Sequence, residues 1–239
     1  MAKVVAFLDV LGFKSRLKRE GLTASEAVYR RLKSEVEKIS PRMMLNCAVP
    51  VEGGRVAAFG TMDIDQDLHS DGIFLWSNYN SFCFPPFCGV LQELLCCVLE
   101  MGIPLRGGVA VGSAVMNKPK RIYLGEALSE AVEVEKAQEW IGVSFGPSFA
   151  TPPFNWFEPD QVLVYRAHRK MGMASLVPGA VLDWPRKWRD TRLTPAQSTL
   201  IQLNTDPKFA KYYENTIQFI DFSERNKNWY RGGSISVRN

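Results

Sequence analysis

The chain has 239 residues, 46% of them hydrophobic and six of them tryptophan, with a formal net charge of +4. That is enough apolar chain for one substantial core, and too small a charge excess to call for nucleic acid or a membrane surface as partner. Charges or prolines break every apolar stretch well short of the ~20 residues a membrane span needs, and Met1-Ala2-Lys3-Val4-Val5 runs directly into a strand pattern that leaves no room for a signal peptide.

Val4 to Leu11 is a near-continuous, valine-rich run, as expected of a strand covered on both faces. Thr23-Ala24-Ser25-Glu26 is a capping box, and it opens a predicted helix to about Ile39 with a stripe of Ala27, Val28, Leu32, Val36 and Ile39. Pro41 stops that helix. Residues 42 to 54 are less regular and end in the turn signal Glu52-Gly53-Gly54. Arg55 to Phe59 and Gly72 to Trp76 read as strands, with Met62 to Asp67 an acidic linker between them. Pro85-Pro86 fits a helix start, Phe87 to Met101 a buried helix, and Gly102 its stop. Leu105 to Val115 is a glycine-rich strand, whose Gly107-Gly108 pair implies close approach of another backbone or a ligand. Asn117 to Lys120 turns the chain and Arg121 to Leu124 returns it. Gly125-Glu126-Ala127-Leu128 opens a helix to about Glu139, and Trp140 to Phe145 is a strand. The order β-α-β-β-α-β-β-α-β predicts an α+β sheet with its helices on one face.

After Gly146 the texture changes. Thr151-Pro152-Pro153 is a loop, the segments 161–165 and 175–183 are candidate strands, and helices start at Thr194-Pro195 and Asp206-Pro207. The tail at Gly232-Gly233-Ser234 is expected to be loose. The predicted organisation is a core over 1–148 with a C-terminal elaboration, 149–239, packed on the same domain. The five cysteines (Cys47, Cys83, Cys88, Cys96, Cys97) are odd in number, include an adjacent pair and lack zinc spacing. They fit buried free thiols in a reducing cytoplasm.

Two aspartates stand out. Asp9 lies inside an apolar strand, a costly position unless the acid is paired or metal-bound. Asp71 lies in a Ser70-Asp71-Gly72 turn just before another strand. Two carboxylates at the same end of neighbouring strands can hold divalent metal, and metal there suggests phosphate chemistry. The plainer reading is that each acid bonds a turn at a strand end.

The motifs, taken in order, resemble a family. Phe7-Leu8-Asp9-Val10-Leu11-Gly12-Phe13 is similar to the first metal motif of class III nucleotidyl cyclases, and Ser70-Asp71-Gly72-Ile73 to the second. Pro104 to Gly112 is similar to the glycine-bearing strand that follows. Tyr123-Leu124-Gly125-Glu126-Ala127-Leu128 through Glu135 is similar to the turn and helix after it. The wording is closest to the bacterial uridylate and cytidylate cyclases of Pycsar antiphage systems. The resemblance implies a ferredoxin-like βαββαβ core with a C-terminal α/β elaboration, and a cytoplasmic homodimer with active sites at the subunit interface. It implies conversion of a pyrimidine nucleoside triphosphate, UTP first and CTP second, to the 3′,5′-cyclic monophosphate and pyrophosphate. The product would be a second messenger for a separate effector.

By the same resemblance Asp9 and Asp71, with the Val10 carbonyl, hold two Mn2+ or Mg2+ ions. One ion activates the ribose 3′-hydroxyl and the other neutralises the triphosphate. Gly12 and Phe13 belong to the substrate-binding motif. Arg106 neutralises phosphate or orients Asp71, or forms a structural salt bridge. Lys118, Lys120 and Arg121 reach the triphosphate, if they are not merely solvated turn cations. Counting from Gly125, Ser129 falls where such cyclases carry an asparagine and Glu133 where they carry a transition-state arginine. That departure leaves open a degenerate domain that binds a nucleotide or partner without turnover. His69 is a turn histidine beside Asp71, and Phe154 to Phe157 read as packing. A diguanylate cyclase is disfavoured, because Ser70-Asp71-Gly72 is not its Gly-Gly-acid-acid-phenylalanine hairpin.

Overall fold

Lys3–Val10 forms β1, which has a strand on either side in a seven-stranded sheet, as its apolar run requires. The computed structural model describes residues 2–39, 42–51, 54–80, 84–150 and 161–227, with the backbone alone over 42–51 and 54–62. After β1 come α1 (Phe13–Glu37), a separate hairpin of β2 (Arg42–Val51) and β3 (Gly54–Asp63), then β4 (Asp65–His69), β5 (Gly72–Asn78) and α2 (Phe84–Glu100). β6 (Leu105–Gly112) leads into a small hairpin, β7 (Val115–Asn117) and β8 (Ile122–Leu124), followed by α3 (Glu126–Ala137) and β9 (Gly142–Phe145). The C-terminal part supplies β10 (Val162–Val164), β11 (Ala180–Leu182), α4 (Trp184–Thr191), α5 (Ala196–Leu203) and α6 (Ala210–Arg225).

The sheet order is β10-β11-β9-β6-β1-β5-β4. β6 and β9 run parallel and the other neighbours antiparallel. The protein is therefore an α+β chain on a mostly antiparallel sheet, with β10 and β11 extending that sheet past β9.

Alternation along β1 sorts its side chains between two faces. Val4, Ala6, Leu8 and Val10 join the larger core with Leu32 and Val36 of α1 and Phe87, Leu91 and Leu95 of α2. Val5 points the other way, into a smaller cluster with Trp76 and Ala127 of α3. Helices thus cover both faces, against the expectation of one. The reason lies in β6. A Cβ on Gly108 would sit 2.1 Å from the Ala131 carbonyl oxygen, so only glycine lets α3 lie down on the strand. On the opposite face, a Cβ on Gly107 would strike Leu8 at 2.2 Å. Fully buried Gln138 ties the parallel pair together. Its amide donates to the Gly107 and Gly142 carbonyls at 2.9 Å each, and its oxygen accepts from Ser144 Oγ at 2.6 Å.

Other expectations need correction. α1 begins at Phe13, well before the capping box, and breaks at Gly21 (φ 81°), so the box lies at the start of its second stretch. Arg42–Val51 is a strand in register with β3 from Arg42 opposite Asp63 to Val51 opposite Gly54. The supposed acidic linker overlaps β4, an edge strand, where charges are tolerated because one side meets solvent. α4 was not foreseen. The Asp183 carboxylate caps it by accepting from the Arg186 amide at 3.3 Å, and Pro185 sits in its first turn. The Pro41 stop, the Glu52-Gly53 turn, the Thr151-Pro152-Pro153 loop, the Phe154 to Phe157 aromatics and the Gly232 tail lie outside the described residues. So do the side chains of Cys47 and Cys83.

Cys88, Cys96 and Cys97 are free thiols. Burial pushes Cys96 up to about 12, which keeps it inert. Among the described residues, no helix is long and apolar enough to cross a membrane.

The C-terminal helices are clamped to α2 by Arg192, which donates from Nη2 to Glu93 Oε1 (2.6 Å) and from Nη1 to Oε2 (3.1 Å). This pairing holds Glu93 down at about 2, from an ordinary 4.5. A depressed carboxyl stabilises the fold above its unfolded pKa, and that contribution is lost as pH falls from about 4.5 towards 2. Glu93 is half-exposed and screened by solvent. Glu93→Gln should therefore lower the melting temperature at pH 7 by only about 2 °C. Melts repeated at falling pH should show that difference shrinking; a difference that grows in acid would contradict the pairing.

Candidate functional site

Strand register assembles the site. Asp9 lies opposite Gly72 on β5 and opposite Arg106 on β6. Since Asp71 precedes Gly72, the β4–β5 turn brings it to the end of β1, where the Val10 amide donates to the Asp71 main-chain carbonyl at 3.1 Å. Ser70 makes the turn with φ 56°. The two acids singled out by sequence therefore come from neighbouring strands to one end of the sheet. Burial raises the Asp9 pKa most. The hydrogen bond and charge of Arg106 oppose that rise, the Asp71 charge adds to it, and Lys14 opposes it.

Arg106 Nη2 donates to Asp9 Oδ2 at 3.1 Å. The same nitrogen is in ion-pair contact with Glu135 Oε1. That contact lacks hydrogen-bond direction, and both Glu135 Oε1 and Arg106 Nε are buried without a hydrogen-bond partner. Glu135 is 3% exposed. Burial raises its pKa, Arg106 draws it down and the Asp9 charge pushes it up. Its place follows from Gly108, which seats α3 on the face that Arg106 shares. The ring of Tyr212, on α6, lies 5.2 Å from the guanidinium carbon of Arg106.

Gly12 (φ 77°) turns the chain from β1 into α1 and is packed so tightly that a Cβ there would meet the Phe209 ring at 2.9 Å. No side chain caps the first turn of α1, so its amides lack the partner that a capping residue would give. Phe13 is half-buried and packs on the larger core.

The remaining predicted residues lie elsewhere. Lys118 Nζ donates to the Gln66 carbonyl at 2.8 Å. Lys118 and Arg121 line a cleft of about 370 Å³ along the β4 edge, with Tyr29, Lys33, Asp67 and His69. In that cleft Asp67 accepts from the Tyr123 hydroxyl and pairs with His69 Nε2 at 3.0 Å. Burial raises the Asp67 pKa, but these bonds and the Leu68 amide outweigh it and leave it lowered. Lys120 is exposed in the β7–β8 turn, and Ser129 and Glu133 are exposed on α3.

Sequence reasoning missed Lys14, Glu135 and Tyr212. Glu135 had a signal, since it continues the Ala127–Ala131 row at helical spacing, an acid on the buried face of its helix. Tyr212 had none, because only the tertiary fold brings α6 to Arg106.

Among the described residues, no group of three or more His, Cys, Asp or Glu side chains converges as a metal cage. Two hard carboxylates remain. That donor set fits Mg2+ or Mn2+, which is commonly held by one or two carboxylates with the rest of its shell from water and substrate phosphate. Compared with protein-family models and with curated proteins, the chain matches none.

Proposed function

We propose that this chain is a metal-dependent nucleotide cyclase that converts a pyrimidine nucleoside triphosphate, UTP first and CTP second, to its 3′,5′-cyclic monophosphate and pyrophosphate. The observation that carries the reading is the register that puts Asp9 opposite Gly72, with Asp71 one residue away. The order β1-α1-β4-β5-α2-β6, with β6-β1-β5-β4 side by side, supports it. A ferredoxin-like core, which the resemblance to class III cyclases implies, would have this strand order.

In the reaction the ribose 3′-oxygen bonds to the α-phosphorus, the bond from that phosphorus to the β-bridging oxygen breaks to release pyrophosphate, and the hydroxyl proton passes to water. Bound Mg2+ or Mn2+ supplies charge neutralisation and acidifies the hydroxyl. Asp9 and Asp71 hold the cation. The uncapped amides of α1 and exposed Lys14 face the triphosphate, and Arg106 keeps Asp9 in place. The enzyme would work as a cytoplasmic homodimer with interfacial sites, to which Lys118, Lys120, Arg121 and Ser129 contribute. Its product would signal to a separate effector in antiphage defence.

Two observations favour a second reading, a cyclase-like domain that binds nucleotide without turnover. Asp9 already has a cationic partner in Arg106, and Glu133 stands where a transition-state cation is expected. Incubation with each of the four NTPs and Mn2+, with products identified by mass, separates the two. Cyclic UMP or CMP supports the enzyme. Saturable nucleotide binding with no product supports the silent domain.

A further inference from the structure

We infer that Glu135 is a positioning residue that sets the divalent-cation affinity of the Asp9–Asp71 pair by holding the Arg106 guanidinium, an inference that rests on the metal-dependent reading above. Glu135 is 3% exposed, on a helix face otherwise made of Ala127, Ala131 and Val134. A carboxylate is rarely buried so deeply unless it is paired. Its ion-pair partner is Arg106, whose Nη2 also holds Asp9 Oδ2. One guanidinium nitrogen is thus shared between the proposed metal ligand and a second acid, with the Tyr212 ring over it.

The charges explain why a second acid belongs there. Asp9, Asp71 and Glu135 against Arg106 leave two negative charges uncompensated, enough to balance one divalent cation; Lys14 and Lys136 are exposed and screened by solvent, and half-buried Lys170 acts on Glu135 from beyond ion-pair distance. Without Glu135, one remains. A guanidinium 3.1 Å from Asp9 also repels a cation on that carboxylate and occupies one of its oxygens. Glu135 gives Arg106 another partner, so that Asp9 can release it when a cation arrives. Removal of Glu135 leaves Arg106 as the captive counter-ion of Asp9.

Binding of Mn2+ alone to the full chain, read by loss of the free-ion electron paramagnetic resonance signal, tests this. Glu135→Gln should weaken Mn2+ binding at least tenfold. The double variant Glu135→Gln/Arg106→Gln restores two uncompensated charges and should recover affinity to within about threefold of the parent, a rescue that a merely structural role for Glu135 would not give. If Glu135→Gln does not fold, Glu135→Asp withdraws the carboxylate by one methylene and should weaken binding about threefold. Unchanged affinity in the single variants, no recovery in the double, or no saturable Mn2+ binding by the parent each overturns the inference. If the parent turns over UTP while Glu135→Gln binds Mn2+ normally, the inference falls and the cyclase reading stands. No turnover of any NTP by the parent removes the cyclase reading.

Discussion

Asp71→Asn is expected to reduce nucleotide turnover by about 1,000-fold or more and leave the fold almost unchanged. Asp71 is half-buried in a two-residue turn, where its main-chain carbonyl, not its carboxylate, receives the Val10 amide. Asparagine keeps that bond and the turn, and removes only the charge. Melting should therefore stay within about 3 °C of the parent, since surface turn substitutions seldom exceed ~0.5 kcal/mol. Asp9→Asn should lose turnover to a similar degree. Arg106, released from Asp9, keeps Glu135 as its partner, so that variant also folds. Circular dichroism melts beside turnover assays decide the matter. Retention of more than a tenth of the parent's rate by Asp71→Asn would remove it from the chemistry.

Gly108→Val should be the most damaging single substitution for stability. Even the first carbon of the new side chain would lie 2.1 Å from the Ala131 carbonyl oxygen, 2.7 Å from Val134 Cβ and 2.8 Å from the Glu135 amide. Backbone atoms on a helix cannot step aside singly, so α3 must lift from β6, at a cost of about 3 kcal/mol or more. At this chain length that is a fall of about 10 °C in melting temperature. The same displacement pulls Glu135 from Arg106, so residual folded protein should also bind Mn2+ poorly. Gly112→Ala is the control. A Cβ there meets nothing closer than the Ala127 amide at 3.6 Å, an ordinary contact, and the variant should melt within about 2 °C of the parent. Equal effects of the two substitutions would show that helix seating is not what the glycine at 108 provides.

The strands nearest the site were legible because their chemistry is unambiguous. Val4 to Leu11 and Gly72 to Trp76 are apolar, β-branched or aromatic runs bounded by turn residues, and both form strands. Asp9 stood out because an acid within such a run needs a partner, and the structure supplies Arg106. What sequence cannot express is register. Only the pairing of β1 with β5 and β6 makes neighbours of Asp9, Gly72 and Arg106. β4 escaped notice because an edge strand reading Asp-Gln-Asp-Leu-His carries charge where a buried strand carries hydrocarbon. The glycine pair was read as a place of close approach. The structure assigns Gly108 to the α3 backbone and Gly107 to the Leu8 side chain, one on each face. That division also explains why helices occupy both sides of the sheet. Tyr212 and Phe209 show the limit of local reading, since their rings meet Arg106 and Gly12 from the far end of the chain.

The proposed cyclisation depends on two strand-end acids that serve one phosphoryl transfer. Phosphorus NMR of UTP incubated with the protein and Mn2+, recorded after a chelating resin has removed the paramagnetic ion, follows that transfer. The triphosphate resonances should give way to pyrophosphate and a cyclic phosphodiester in equal amounts, and neither should form with Asp71→Asn. Orthophosphate in place of the phosphodiester, or an unchanged UTP, CTP, ATP and GTP spectrum with the parent folded, would contradict it.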